Sequence, residues 1–300
     1  MFKNILIPLD GSNLAEAALP AAASLAGSLG ASVTLLHVIE KDARQAIHND
    51  RHLTRPDEAE AYLKETAKKA FPKNIGVATH VHTAEVKDTA ASIIRHAREE
   101  FKPELIVMCA HGQGGFRDML FGNIAQQVLA GSQTPILLIQ PESAESQPFT
   151  IRRIFVPLDS ESIHDDSLPC AQRLARAYNA EIYLLTVIPT YGTLSGERAA
   201  ASSMLPITAA AFLDIKEETG KEHLQAHLDE LHDSGYNVTA EIARGDPAVV
   251  ITETAKRVEA DLIILNTHRK AGMEAFWARS VAPNIVRRSK IPALLLPAQT

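Results

Sequence analysis

Short continuous apolar runs alternate along this chain with longer segments whose apolar residues recur at helical spacing. Residues 2–8, Phe-Lys-Asn-Ile-Leu-Ile-Pro, are β-rich and predict a strand buried on both faces of a parallel sheet. Leu9-Asp10-Gly11-Ser12 breaks that run. The alanine-rich stretch from Asn13 to Leu29 predicts a helix, with Ser12 or Asn13 as N-cap, Pro20 near its start and Gly30 as its stop. A second strand is expected over Ser32 to Ile39, and a polar loop over Glu40 to Pro56. The pattern then predicts a helix from Asp57 to Phe71, a strand from Gly76 to His82, a helix from Thr89 to Phe101 and a strand from Leu105 to Cys109. A helix from Asn123 to Ala130 and a strand from Pro135 to Ile139 complete the series.

After the polar, proline-flanked stretch Pro141 to Pro148 the series begins again. Asn4-Ile-Leu-Ile-Pro8-Leu9-Asp10 returns as Arg153-Ile-Phe-Val-Pro157-Leu158-Asp159, and Leu19-Pro20 as Leu168-Pro169. Leu35-Leu36-His37-Val38-Ile39 returns as Leu184-Leu185-Thr186-Val187-Ile188, and Glu104 to Val107 as Asp261 to Ile264. Thr134-Pro135-Ile136-Leu137-Leu138 closes the comparison as Ile291-Pro292-Ala293-Leu294-Leu295. Order is kept throughout, so the chain is a tandem duplication with an insertion in Pro189 to Pro206. Strands alternating with helices predict the α/β class. We expect two tandem Rossmann-like domains, each a five-stranded parallel sheet of order 3-2-1-4-5 flanked by helices. The expected boundaries are 1–140, a linker at 141–150, and 151–300.

Composition narrows the functions open to such a chain. With 300 residues, 46% hydrophobic and 22% charged, it has material for two sizeable cores. A net charge of −6 argues against a nucleic-acid partner, and Arg287-Arg288 with Lys290 reads as a solvated helix end. Cys109 and Cys170 fall in different halves without metal-type spacing, which suits a reducing compartment and a cytoplasmic address. The N-terminal apolar run stops at Pro8, too short for a signal peptide core or a membrane span.

The candidate chemistry lies in Met108 to Ile124, which leaves the fourth strand and enters the fourth helix. Gly112 and Gly122, with nine residues between them, allow backbone N–H groups to approach a phosphate at a helix start. Taken alone, the pair also reads as a turn glycine and a helix-start glycine. In a sheet of order 3-2-1-4-5, however, ligands bind beyond the carboxyl ends of strands one and four, where the order reverses. Asp10 and Cys109 to Gly112 stand at those two ends.

Ile7-Pro8-Leu9-Asp10-Gly11-Ser12, Leu36-His37-Val38, Met108 to Gly115, Gly122 and Pro135 to Ile139 together resemble the universal stress protein family across essentially the whole chain. Gly245-Asp246-Pro247-Ala248 is a further hallmark, where the first half has Lys87-Asp88-Thr89-Ala90. The resemblance implies a stress-response protein of which many relatives bind ATP through Gly-x2-Gly-x9-Gly-(Ser/Thr). Gly112 and Gly122 match the second and third glycines; Cys109 stands at the first and Asn123 at the Ser/Thr position. By resemblance, Pro8, Leu9, Asp10 and Val38 would hold adenine and ribose. Met108, Cys109, His111, Gly112, Gly122, Asn123 and Ile124 would hold the phosphates, with Mg²⁺ an optional companion. A Cβ at Cys109 would cost affinity if that position needs positive φ or close backbone approach. In the second half Asn266, Arg269 and Arg279 replace the three glycines and only Ser280 survives, which favours loss of ATP binding there.

Other side chains receive plainer readings. His111 and His268 share a repeat position and read as polar loop side chains as readily as phosphate contacts. His80 and His82 share one face of strand three, and His48 and His52 stand one helical turn apart; neither pair has a third ligand nearby in sequence, so no metal site is expected. Cys109 reads as a small buried residue rather than a redox sensor. Asp10, Asp88 and Asp118 are candidates for Mg²⁺, but nucleophile elbow, Walker and dinucleotide motifs are missing, so no enzyme is expected, at most slow, incidental ATP hydrolysis. The expectation is an ATP-binding regulatory protein with nucleotide in its first domain, and its alternative is a scaffold of the same family that binds none. The resemblance further implies an intramolecular pseudo-dimer whose halves meet at Pro135 to Ile139 and Pro292 to Leu296; association into a homodimer stays open, and no membrane partner is expected.

Overall fold

The computed structural model describes residues 2–41, 46–47, 50–110, 123–141, 149–158, 167–193, 206–267 and 281–297. The described chain forms two compact units, the first built from its first 150 residues with Pro292–Pro297, the second from 151–267 and 281–291.

In the first unit β1 (Asn4–Pro8) runs parallel to β2 (Ser32–Glu40) on one side and to β4 (Leu105–Cys109) on the other. Outside them lie β3 (Val77–Val86), parallel to β2, and β5 (Ile136–Ile139), parallel to β4. This is the order 3-2-1-4-5. Ile5, Leu6 and Ile7, like Leu105, Ile106 and Val107, are buried, because helices cover both faces of a central parallel strand. That double burial is why these strands read as continuous apolar runs. The final strand of the chain, β10 (Ala293–Pro297), pairs antiparallel with β5 through Ala293↔Leu138, Leu294↔Leu137 and Leu295↔Ile136. The expected meeting of the two terminal runs is thus a strand ladder, and it covers the edge that β5 would otherwise expose.

The helices follow the pattern with informative departures. The segment expected as one helix from Asn13 to Leu29 is two, a single turn Asn13–Glu16 and then α1 (Leu19–Leu29). Pro20 causes the break: it has no N–H to donate, and its ring clashes with a preceding helical carbonyl, so it is tolerated only in the first turn of a new helix. The polar region before α2 (Pro56–Ala70) contains a short antiparallel ribbon, Ala46–Ile47 against Asp50–Arg51. α3 (Thr89–His96), capped by the Asp88 carboxylate on the Ala91 N–H, runs into a π-helical turn, Ala97–Phe101. Lys102, with φ +44°, ends that turn. α4 (Asn123–Gly131) leads to β5.

The second unit repeats the first four strands of the arrangement. β6 (Arg153–Leu158), β7 (Glu181–Ile188), β8 (Val238–Arg244) and β9 (Leu262–Thr267) pair in parallel in the order β8-β7-β6-β9. Its helices are α5 (Ser167–Tyr178), α6 (Pro206–Asp233), α7 (Pro247–Arg257) and α8 (Val281–Arg288). Part of the additional length of this repeat is helix, since α6 has 28 residues against 15 in α2. At the hallmark before α7, Gly245 adopts φ +150°, Asp246 accepts from the Val249 N–H, and Pro247 takes the first turn. Among the described residues no helix is long and apolar enough to cross a membrane.

Candidate functional site

Three strand ends converge where the order reverses in the first unit. Leu6 pairs with Ile106, so two residues further on Pro8 is level with Met108; Pro8 also pairs with Leu36, and the Leu9 N–H donates to the Leu36 carbonyl at 2.8 Å. Val38 therefore lies level with Asp10. Pro8, Leu9, Asp10, Val38, Met108 and Cys109 thus share the carboxyl ends of adjacent strands β2, β1 and β4, the position at which open α/β sheets take ligands. Leu9, Val38 and Met108 are buried there, whereas Pro8, Asp10 and Cys109 are half-buried. Just beyond Val38 the ladder between β2 and β3 slips: Val38 pairs with His82 but Glu40 pairs with Val86, so β3 bulges beside the crevice.

Asp10 is fixed by its neighbours. Its Oδ1 accepts from the Ser12 N–H at 2.9 Å and from the Ser12 hydroxyl at 2.6 Å, while Ser12 Oγ accepts from the Ala15 N–H at 3.1 Å as N-cap of the short helical turn. One serine therefore caps the helix and orients the carboxylate. Gly11 between them has φ +91°, and a Cβ there would meet Leu53 Cδ1 at 2.7 Å, so both conformation and space call for glycine. Below the turn His37 is buried, with Nδ1 2.8 Å from the Leu9 carbonyl and Nε2 2.9 Å from the Leu53 carbonyl. Tyr62 from α2 brings a hydroxyl shielded from solvent and without a well-formed hydrogen bond. Burial above all, then the charge of Glu16 and more weakly that of Asp10, pushes its ionisation well up, so it stays a neutral donor.

Cys109 ends β4 opposite Ile139 in extended backbone and does not take up positive φ. The cost anticipated from a left-handed conformation at this position does not arise. Asn123 begins α4 and Ile124 is half-buried in its first turn. His111, Gly112 and Gly122 lie outside the described residues, as do Asp118, Asp159, His268, Arg269, Arg279 and Ser280. Asp88, a Mg²⁺ candidate by sequence, instead caps α3. Sequence reasoning did not anticipate the roles of Gly11, His37, Leu53 and Tyr62. The glycine after Asp10 was the available signal for the first; the others depend on contacts between segments distant in sequence.

The model of the universal stress protein family matches residues 1–140 and again 150–297. Curated relatives align with about half of the chain: a universal stress protein of Methanocaldococcus jannaschii is 26% identical over 145 residues, 48% of this chain and 81% of its own. One from Synechocystis is 32% identical over 139 residues, 46% of this chain and 86% of its own. Among solved structures, a universal stress protein from Archaeoglobus fulgidus shares the fold with a TM-score of 0.69 at 17% identity, covering 98% of this chain and 96% of that one. Two successive matches spanning nearly the whole chain, on a duplicated α/β architecture, establish that this protein belongs to the universal stress protein family.

Proposed function

We propose that the protein is a stress-response regulator that binds ATP in its first unit, with Mg²⁺ as companion, and that it works by binding rather than by catalysis. The observation that carries this reading is the convergence of Pro8 to Asp10, Val38 and Met108 to Cys109 at three adjacent strand ends. The residues present fit a nucleotide. Val38 and Leu9 offer an apolar wall and strand-end backbone groups to adenine, and the Asp10 carboxylate, held by Ser12, is an acceptor for ribose hydroxyls. The N–H groups of Asn123 and Ile124, at the start of α4, suit phosphate oxygens. Hydrolysis is slow and incidental in this reading, because the Asp10 carboxylate is engaged by Ser12 and Asp88 is engaged as a cap. Neither Cys109 nor Cys170 is in a disulfide, which supports a cytoplasmic setting.

Thermal unfolding with and without ATP and Mg²⁺ tests the reading. At about 100 times its dissociation constant ATP stabilises by about 2.7 kcal/mol. Flat melting curves would leave the scaffold alternative. Gly122→Glu is expected to abolish the shift and Ser280→Ala to leave it intact; the reverse would move the site to the second repeat.

A further inference from the structure

We propose that His80, His82 and His96 form a binding site for one divalent, imidazole-preferring transition metal ion, zinc foremost, with Glu100 orienting His96. Sequence spacing gave only a pair on one face of a strand; folding supplies the third histidine. His80 and His82 stand two apart on β3, whose side chains alternate between faces, so both project to one side. Ring contacts show that this side is packed by His96 and Phe101: His96 lies 5.1 Å from His80 and 4.8 Å from His82 between ring centroids. One nitrogen from each of the three imidazoles falls within 4.8 Å of the others.

The hydrogen bonds assign the proton that decides whether such a group ligates. His96 Nδ1 lies 2.7 Å from Glu100 Oε2, and since an ionised carboxylate only accepts, Nδ1 carries the hydrogen. In the neutral ring His96 Nε2 then holds the lone pair, and it faces His82 Nδ1 at 3.1 Å. A carboxylate holding one imidazole nitrogen while the other points at the ion is the arrangement that tunes zinc-bound histidines. Zinc–nitrogen bonds of about 2.0–2.1 Å at tetrahedral angles set nitrogen pairs about 3.4 Å apart. The His82–His96 edge is already near that spacing, and side-chain rotation of His80 closes the rest. When the ion enters, neutral His82 changes tautomer: its hydrogen passes from Nδ1 to Nε2 through solvent, and the freed Nδ1 lone pair turns to the ion.

The surroundings favour a site over a chance contact. Both strand histidines are held in the ladder with β2, His80 opposite Leu36 and His82 opposite Val38, and the bulge in β3 begins directly after His82. Glu100 and Phe101 belong to the π-helical turn, an insertion often found at functional sites. Phe101 stacks on His96 with ring centroids 5.7 Å apart and meets His80 edge-on at 5.2 Å, forming an apolar wall. His80 and Glu100 keep side-chain exposures of 32% and 47%, leaving a route for the ion and a fourth position for water. Three imidazoles suit zinc, copper or nickel and are poor partners for Mg²⁺ or Ca²⁺, which require oxygen ligands.

The full chain, stripped with chelator, is titrated with Zn²⁺ calorimetrically and with Co²⁺ by visible absorption. One ion per chain is expected, with the intense absorption of tetrahedral cobalt. His82→Ala and His96→Ala are expected to weaken binding at least 100-fold, and Glu100→Gln by about 10–100-fold at unchanged stoichiometry. His227→Ala is the control, because His223 and His227 on α6 form a close imidazole pair, Nε2 to Nε2 3.1 Å, that is separate from the three-histidine group. Half-exposed His80→Asn tests the site without opening the core, and circular dichroism checks that each variant folds. Zinc binding that survives His82→Ala and His80→Asn, or that disappears in His227→Ala, overturns the proposal, as does an unchanged calorimetric trace in the wild-type chain.

Discussion

The Nδ1 atom of His37 lies 2.8 Å from the carbonyl oxygen of Leu9, at the end of β1, while Nε2 of the same ring reaches the carbonyl of Leu53 at 2.9 Å. One buried imidazole thereby ties the segment carrying Asp10 to the chain that enters α2. His37→Leu removes both contacts, including the one hydrogen bond that a neutral imidazole donates to either carbonyl. The expected loss is about 1–3 kcal/mol in urea denaturation, accompanied by a smaller ATP-induced shift because Asp10 is less firmly placed. An unchanged midpoint would mean that water replaces the imidazole at the two carbonyls without cost.

Gly11 faces two separate penalties if it is replaced. Its φ of +91° disfavours any Cβ, at about 1–2 kcal/mol, and the Cβ of Gly11→Ala would stand 2.7 Å from Leu53 Cδ1. Combining Gly11→Ala with Leu53→Ala should recover the steric part but not the conformational part. A double-mutant cycle measured by thermal unfolding separates them, and strict additivity would show that the contact has no influence.

The Asp10–Ser12 pair distinguishes binding from folding. Asp10→Ala loses two accepted hydrogen bonds but keeps the Ser12 cap on the Ala15 N–H, so its cost in stability is expected to be about 1 kcal/mol. Its effect on ATP affinity should be larger, at least tenfold, if the carboxylate accepts from ribose. Isothermal titration with ATP and with a 2′,3′-dideoxy analogue checks the assignment: the variant and wild type should bind the analogue about equally.

The two thiols should behave differently. Cys170 is buried in α5, and burial drives its ionisation far up, against a small opposing effect of Arg173; Cys109 is half-buried at the end of β4. A thiol reagent applied to the native protein is expected to modify Cys109 first and Cys170 only after unfolding. Equal rates would place Cys170 nearer to solvent than its packing implies.

Cys170 also sets a pH dependence. Its folded-state pKa lies above the unfolded one, so above about pH 8.5 the unfolded chain releases a proton that the native chain retains, and stability falls as pH rises. The slope is about 1.4 kcal/mol per pH unit from this one group and continues until the native thiol ionises. Below about pH 8.5 the contribution is fully present. Cys170→Ala should flatten the alkaline limb of a denaturation series by that amount, and an unaltered slope would assign the limb to other groups such as Tyr62.

The strands were legible because double burial leaves a plain mark. Leu105–Cys109 has the bounds expected from its apolar run, and the parallel pairing of the strands follows from their alternation with helices. Turn chemistry was partly legible: Ser12 is the cap that its place before an apolar period announces, whereas Asp88, a Mg²⁺ candidate by sequence, and Asp246, part of the family hallmark, are caps that the structure disclosed. The break at Pro20 was present in the sequence, but the alanine-rich context on both sides masked it. The π-helical turn after His96 has no local signature in a stretch whose periodicity reads as one helix from Thr89 to Phe101.

Sequence by itself determined the duplication, the alternating α/β series, the family, and which strand ends carry Asp10 and Cys109. Those properties are local or periodic, and apolar periodicity follows directly from which faces are buried. Tertiary structure decided which distant side chains converge. His80 and His82 acquire His96 and Glu100 only when β3 pairs with β2 and α3 packs across that face, and His37 acquires Leu53 only when the crossover folds back. Side-chain convergence of this kind depends on register and helix docking, which are set by the whole sheet and its covering helices rather than by any single stretch of the chain.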